Sequence, residues 1–280
     1  MTDRAAGPTV LRILLGTQLR RLREARGITA QQAAQAIRAS ESKISRIELG
    51  RNAVREVDVA DLLGLYGVSD PAEREQLLSV ASQANQPGWW HRYTDVLPGW
   101  FHAYVGLEES AESIRSYDSQ FVPGLLQTAD YAAAVIALGE FSADETERLV
   151  LLRKERQRRF LSAGQRLEAI VDETALRRPV GTAGQMRAQL EYLDSLSAHS
   201  SVALRVLPFP GAYTAPGSFS ILRFGPADLP DIVYVEQLTS AMYLDKRSDV
   251  DRYTEVIDKL SAASASAGDS RRMIRALLRN

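Results

Sequence analysis

The sequence predicts an α+β chain: an all-α N-terminal region of five helices, then a region that mixes helices with an antiparallel sheet. Three observations carry this. Up to residue 84, apolar residues recur every three or four positions between helix caps. The segment Asn85-Gln86-Pro87-Gly88-Trp89-Trp90-His91 then breaks helix and opens an aromatic-rich stretch. Beyond it, β-branched and aromatic runs at residues 167–171, 202–207, 218–224 and 232–236 are punctuated by Pro and Gly. A chain of 280 residues is long enough for two domains. The expected division is a helical domain at 11–84, an aromatic linker at 85–106 and an α+β domain at 107–280.

In the first region Leu15, Leu19 and Leu22 lie on one face of a helix that Gly27 ends. Thr29 with Gln32 three residues on is a capping box for a second, alanine-rich helix that closes at Ile37. Ser40 caps a third helix, with Glu41 in its first turn, Ile44 and Ile47 as its buried stripe and Gly50 as its stop. Residues 57–66 form a fourth helix, and Asp70-Pro71 opens a fifth. In the second region, residues 111–117, 128–138, 144–161, 182–197 and 250–260 read as helices. The small polar residues 262–268 read as a flexible connection to a short basic amphipathic segment at 271–279.

Composition excludes much. The chain has no cysteine, which removes disulfides, thiolate metal sites and cysteine nucleophiles. His91, His102 and His199 are the only histidines and have no metal-ligand spacing, so neither a metal nor a cofactor is expected. No Gly-x-Ser-x-Gly, Gly-x-x-x-x-Gly-Lys-Ser/Thr, Gly-x-Gly-x-x-Gly or His-Glu-x-x-His occurs, and no catalytic residue is expected. The start of the chain lacks a cleavage pattern, and the longest apolar stretch, 131–138, is far short of the roughly 20 residues that span a bilayer. The expectation is a cytoplasmic protein without membrane contact.

Charge is distributed unevenly. The net charge is −1, yet residues 8–55 hold ten basic residues against three acids. A basic segment on an otherwise acidic chain points to a polyanion partner for that segment, or else to a solvated face. The helical pattern decides for the first. Helix, Gly-Ile-Thr, small helix, tight turn and Ser-capped helix form a helix-turn-helix, in which the third helix enters the major groove of duplex DNA. Glu41, Ser42, Lys43, Ser45 and Arg46 face outward there and are the candidate base contacts; Arg38, Arg51, Asn52 and Arg55 are the candidate phosphate contacts.

Residues Leu22-Arg23, Gly27-Ile28-Thr29, Ala34, Ile37, Ser40 and Ile44-Ser45-Arg46-Ile47-Glu48-x-Gly50 resemble the Cro/XRE family of bacterial helix-turn-helix regulators. The resemblance implies that Arg23 and Glu48 form an ion pair joining the first and third helices. Three departures bear on DNA contacts. The turn position usually filled by Gly is Arg38, at a cost of about 1 kcal/mol if the backbone there is left-handed. The frequent Gln at the start of the second helix is Ala30, and Glu41 stands where a neutral residue is common.

The motifs Pro123-Gly124-Leu125-Leu126-Gln127-Thr128-Ala129-Asp130-Tyr131, Arg153-x-x-Arg156-Gln157, Asp172 through Gly181, Val206-Leu207-Pro208, Gly217-Ser218-Phe219 and Val233-Tyr234-Val235-Glu236 are similar to the C-terminal domain of antitoxin-like regulators of filamentous actinobacteria. That similarity implies a small protein partner encoded nearby. Pro123, Gly124, Leu125, Leu126, Gln127, Tyr131 and Arg177 are the candidate partner or ligand region, set against a packing role for Leu125 and Leu126. The aromatic stretch 89–104 reads as packing rather than base stacking, and the C-terminal apolar stripe either binds a partner or docks on its own domain. The expected function is a sequence-specific regulator of transcription, binding DNA as a homodimer, whose C-terminal domain senses a partner or ligand. The alternatives are an antitoxin-like protein that sequesters a small partner and a small-molecule sensor.

Overall fold

The computed structural model describes residues 7–209, 213–225 and 229–279. Residues 1–6, part of the start searched for a leader, and Asn280 lie outside them. The chain divides into two compact units, the first ending at His91 and the second beginning at Arg92.

The first unit holds helices α1 (Pro8–Ala25), α2 (Ala30–Ala36), α3 (Glu41–Glu48), α4 (Glu56–Leu65) and α5 (Pro71–Ala84). Local chemistry sets their ends. Thr29 Oγ1 accepts from the Gln32 amide at 3.2 Å while Gln32 returns a bond to the Thr29 amide, completing the capping box. Ser40 caps α3 through the Lys43 amide and Asp70 caps α5 through the Ala72 amide. Gly27 and Gly50 have φ of +66° and +64°. Leu15, Leu19, Ile44, Ile47, Leu62 and Leu63 are buried in one core.

The second unit carries a six-stranded sheet among its described residues, in the order β3-β2-β1-β4-β5-β6, from β1 (Ser113–Asp118), β2 (Arg166–Asp172), β3 (Val202–Leu207), β4 (Phe219–Arg223), β5 (Ile232–Glu236) and β6 (Ala241–Leu244). Its helices are α6 (Phe101–Ser110), α7 (Ala129–Ile136), α8 (Ala143–Ser162), α9 (Glu173–Arg177), α10 (Ala183–Leu196), α11 (Arg247–Ala263) and α12 (Ala267–Leu277). The α+β class is as expected, but the sheet is mixed. β1, β2 and β3 pair in parallel, whereas β1, β4, β5 and β6 pair antiparallel. Parallel neighbours need long crossovers, which α7–α8 and α9–α10 supply.

Three expectations change. Residues 111–117 are not a helix; from Ser113 they form the central strand β1. Its two faces hide the strand signal, because Ser116 and Asp118 point one way while Arg115, paired with Glu168 and Asp258 at 2.8 Å each, points the other. Hydrophobic alternation is therefore weak although the backbone alternates. The expected boundary at 106 falls inside α6. The stretch 262–268 is a tied turn rather than a free connection: the Ala265 amide donates to Val206 O at 2.9 Å, and Ser266 caps α12. Helix α12 docks on its own unit. Ile274 is buried, Ser270 Oγ accepts from the Val206 amide, and Asp194 accepts from Arg271 and Arg275 at 2.7 and 2.8 Å.

Side-chain alternation gives the sheet two distinct faces. Tyr117, Ile170, Phe219, Ile221, Val233 and Val235 form a core with Ile257 and Leu260 of α11. The opposite face presents Ser116, Ser220 and Tyr234, which the strand registers place in one cross-strand row.

Candidate functional site

Helix α3 is held as a projecting element. Ile44 and Ile47 are buried, while Glu41, Ser42, Ser45 and Arg46 are exposed on its other side. Behind it, Arg23 Nε and Nη2 donate to Glu48 Oε1 and Oε2 at 2.6 and 2.9 Å, and Arg23 Nη1 donates to Ile28 O at 2.9 Å. The side chains of this pair are only 12% and 8% exposed, so one guanidinium ties α1 to both the end of α3 and the turn before α2. Burial, with Glu48 adding to it, pushes the nearby Tyr66 phenol up to about 12.

Gly16, which carries no signal in the sequence pattern, sets how closely α1 and α3 approach. A Cβ there would stand 2.3 Å from Ile47 O and 2.7 Å from Glu48 O. Gly50 is constrained twice, by its positive φ and by Ile13 Cα at 2.6 Å from where its Cβ would sit. Both glycines seat the carboxyl end of α3 on α1.

The candidate contacts fall into two groups. Arg38, Arg46 and Arg51 are exposed and make no ion pair or side-chain hydrogen bond among the described residues; Asn52 is exposed beside them. Arg38 has φ +52°, so the turn between α2 and α3 does adopt the left-handed conformation where glycine is usual. Lys43 and Arg55 behave differently. Lys43 Nζ donates to Asp58 Oδ2 at 3.0 Å, and Arg55 donates to both Asp58 oxygens at 3.1 and 2.6 Å. Asp58 is buried, and Arg55 first, then Lys43, holds its carboxyl below the usual range against the cost of burial. Lys43 is thus engaged in joining α3 to α4, whereas the exposed Arg55 keeps its outer face open. Asp58 was missed because its link to Lys43 spans 15 residues; only the Arg55–Asp58 spacing was visible in the chain. Ser42 Oγ lies 2.9 Å from Ser40 Oγ at the helix start.

In the second unit, the turn from Pro123 to Thr128 is bound by side chains from three elements. Gln127 Nε2 donates to Val122 O at 2.6 Å, Gln157 Nε2 to Gly124 O and Gln127 O, and Gln189 Nε2 to Leu126 O. Gln189 Oε1 in turn accepts from the Thr128 amide, and the Val122 amide donates to the Tyr131 hydroxyl. Leu125, Leu126, Gln127 and Tyr131 are buried, so these members of the candidate region pack. Gly124 faces a cavity. Arg177 is elsewhere, pairing with Glu173 at 2.6 Å.

No helix among the described residues is long and apolar enough to cross a membrane. Residues 14–77 match the family model for a helix-turn-helix domain, in keeping with a DNA-binding regulator. Residues 101–276 match the model described as a domain of unknown function (DUF5753). No curated protein and no solved structure matches the chain. With the second match covering more than half of its length, the protein belongs to the DUF5753 family and carries a helix-turn-helix domain ahead of the family domain.

Proposed function

We propose that this chain is a non-catalytic, sequence-specific transcriptional regulator of the XRE kind that acts in the cytoplasm and binds duplex DNA as a homodimer. The second unit dimerises and senses a ligand or partner. The observation that supports this best is the outward face of α3. Arg46, Ser45 and Glu41, with Ser42 beside Ser40, are exposed on a helix braced from behind by Arg23–Glu48, with Arg38 and Arg51 uncommitted at its two ends. A guanidinium on the exposed face of such a helix suits a guanine edge, and flanking cations suit phosphates. One module makes few contacts, which favours two modules on a two-fold-related site.

The test is a salt titration of binding to the duplex upstream of the protein's own gene, against an unrelated duplex. A specific complex whose affinity falls steeply with salt supports the reading. Weak binding indifferent to sequence counts against it. Arg46→Ala should cost about 1–3 kcal/mol on the preferred site and relax specificity at one position. A uniform loss on all sequences would make Arg46 a phosphate contact.

A second reading, sequestration of a small protein encoded nearby in the antitoxin manner, is favoured by the exposed apolar side chains Leu138, Phe141, Leu151, Phe209 and Leu238 of the second unit. Co-elution with the neighbouring gene's product on gel filtration would support it.

A further inference from the structure

On the sheet face opposite α11, the second unit carries a half-open cavity of about 380 Å³. Strands β1, β4 and β5 floor it; α6, α7, α8 and the Gly124 turn cover it. This volume lies in the range of small-molecule sites, and its walls combine the rings of Phe101, Tyr104, Phe141 and Tyr234 with aliphatic side chains such as Ile136 and Leu152. Tyr104 stacks on Tyr234 at a ring separation of 4.2 Å.

The charges in it are unequally satisfied. Arg156 is buried and donates to both oxygens of buried Glu108, at 2.7 and 2.6 Å, under the rings of Phe101 and Tyr104. That pair is neutral within itself. Arg153, one turn earlier on α8, gives one N–H to Gln127 Oε1, but its Nε is buried without an acceptor. Burial first, and then the neighbouring Arg156, lower its pKa to about 10. Across the cavity Asp118 Oδ2 and the Tyr234 hydroxyl are also buried without a hydrogen bond of normal geometry. Burial raises Asp118 to about 7, so near neutrality it is only partly charged and does little to balance Arg153. Buried polar groups in folded proteins are almost always paired, and several unpaired ones converging on one cavity mark a place for a ligand.

Gly124 keeps the space in front of the cations open. A Cβ there would lie 3.7 Å from Arg153 Nε and 3.7 and 3.8 Å from the two Nη atoms of Arg156. Its φ is not positive and a Cβ would make only ordinary van der Waals contact, so neither backbone nor packing demands glycine, and the missing side chain leaves the cations reachable.

We propose that this cavity binds a small monocarboxylate with a flat apolar body, the carboxylate accepting from Arg153 and Arg156 beside Gly124 and the body lying against Tyr104, Phe101 and Tyr234. A guanidinium pair offers planar donors that match a carboxylate. A dianion such as phosphate is disfavoured by Glu108 and Glu236 nearby, and a cation by the two arginines. The inference deepens the sensing role proposed above and rests on it for any effect on DNA. Binding itself is read without DNA, so either reading can fail alone.

The experiment uses the full chain with 3-phenylpropionate and indole-3-acetate, against their primary amides and phenethylamine, by thermal shift and calorimetry. The acids should raise Tm saturably in the millimolar range expected of such small ligands. The amides should bind at least about tenfold more weakly, and the amine should not bind. Gly124→Leu should abolish binding, and Arg153→Gln should bring acid and amide to equal affinity. Amide-proton shift mapping on the unmutated protein, expected to centre on Gly124, Ser220 and Glu236, keeps the test decisive if a variant does not fold. No binding by the acids, equal affinity of acid and amide in the unmutated protein, retained binding in folded Gly124→Leu, or shifts centred elsewhere would overturn the proposal.

Discussion

Both units bury carboxylates, and they treat them differently. In the first, Glu48 and Asp58 are each met by cations at hydrogen-bond distance, Glu48 by Arg23 and Asp58 by Arg55 and Lys43. In the second, Glu108 is fully engaged by Arg156, but Asp118 and Arg153 keep polar atoms without partners in a cavity. The difference separates two uses of buried charge. A complete network satisfies its carboxylate and joins helices. An incomplete one costs stability until something fills it.

The comparison breaks most visibly at Glu48. Removing one partner of a buried pair strands the other, so Glu48→Ala should destabilise the first unit by about 3–5 kcal/mol, read by urea denaturation. A loss under about 1 kcal/mol, the scale of a solvent-exposed ion pair, would mean that Arg23 finds water instead. Gly16→Ala tests the same helix junction through shape rather than charge. The methyl group would strike Ile47 O, and about 3 kcal/mol should be lost despite alanine's better helix propensity.

Asp58 and Asp118 sharpen the contrast because their shifts have opposite signs. The carboxyl of Asp58 is held down, so its contribution is present above the unfolded value of about 4 and is lost as pH falls through the folded one. Asp58→Asn should cost about 2 kcal/mol at pH 7. Asp118 titrates near 7 in the native state. Between about pH 4 and 7 the native state holds a proton that the unfolded state has released, so stability falls as pH rises through that window. Asp118→Asn should therefore stabilise the chain by about 2 kcal/mol at pH 8, with the gain vanishing toward pH 4. Melts at the two pH values check both signs; a loss at pH 8 would show that Asp118 is usefully paired when ionised. The smallest effect belongs to Arg38. Arg38→Gly should relieve the left-handed strain and add about 1 kcal/mol, without altering the fold, again by urea denaturation.

The helical unit was legible because its signals are local. The Thr29–Gln32 capping box, the Ser40 and Asp70 caps, the stops at Gly27 and Gly50 and the left-handed demand on Arg38 all involve residues a few positions apart. The second unit was legible where apolar runs were long, as in β2, β3 and β5. It was misread at β1, whose side chains serve a polar cavity on one side and a salt bridge on the other. The candidate region around Pro123 held two kinds of residue that its sequence did not separate. Leu125, Leu126 and Tyr131 pack, whereas Gly124 opens the space before the arginines.

Three features were present in the order of residues: the caps and glycine stops of the N-terminal helices after the first, the buried Ile44–Ile47 stripe of α3, and that an α+β unit follows a basic helical one. Caps, turns and periodicity are read over one or two turns of chain, so no partner is needed to interpret them. Four others exist only once the chain has folded. These are the parallel pairing of β2 with β1 and β3, the approach of α1 and α3 at Gly16, the capture of Lys43 by Asp58, and the gathering of Asp118, Arg153, Arg156 and Tyr234 around one cavity. Each of these joins residues far apart in the chain, and whether a buried charge is satisfied depends on what the fold brings against it.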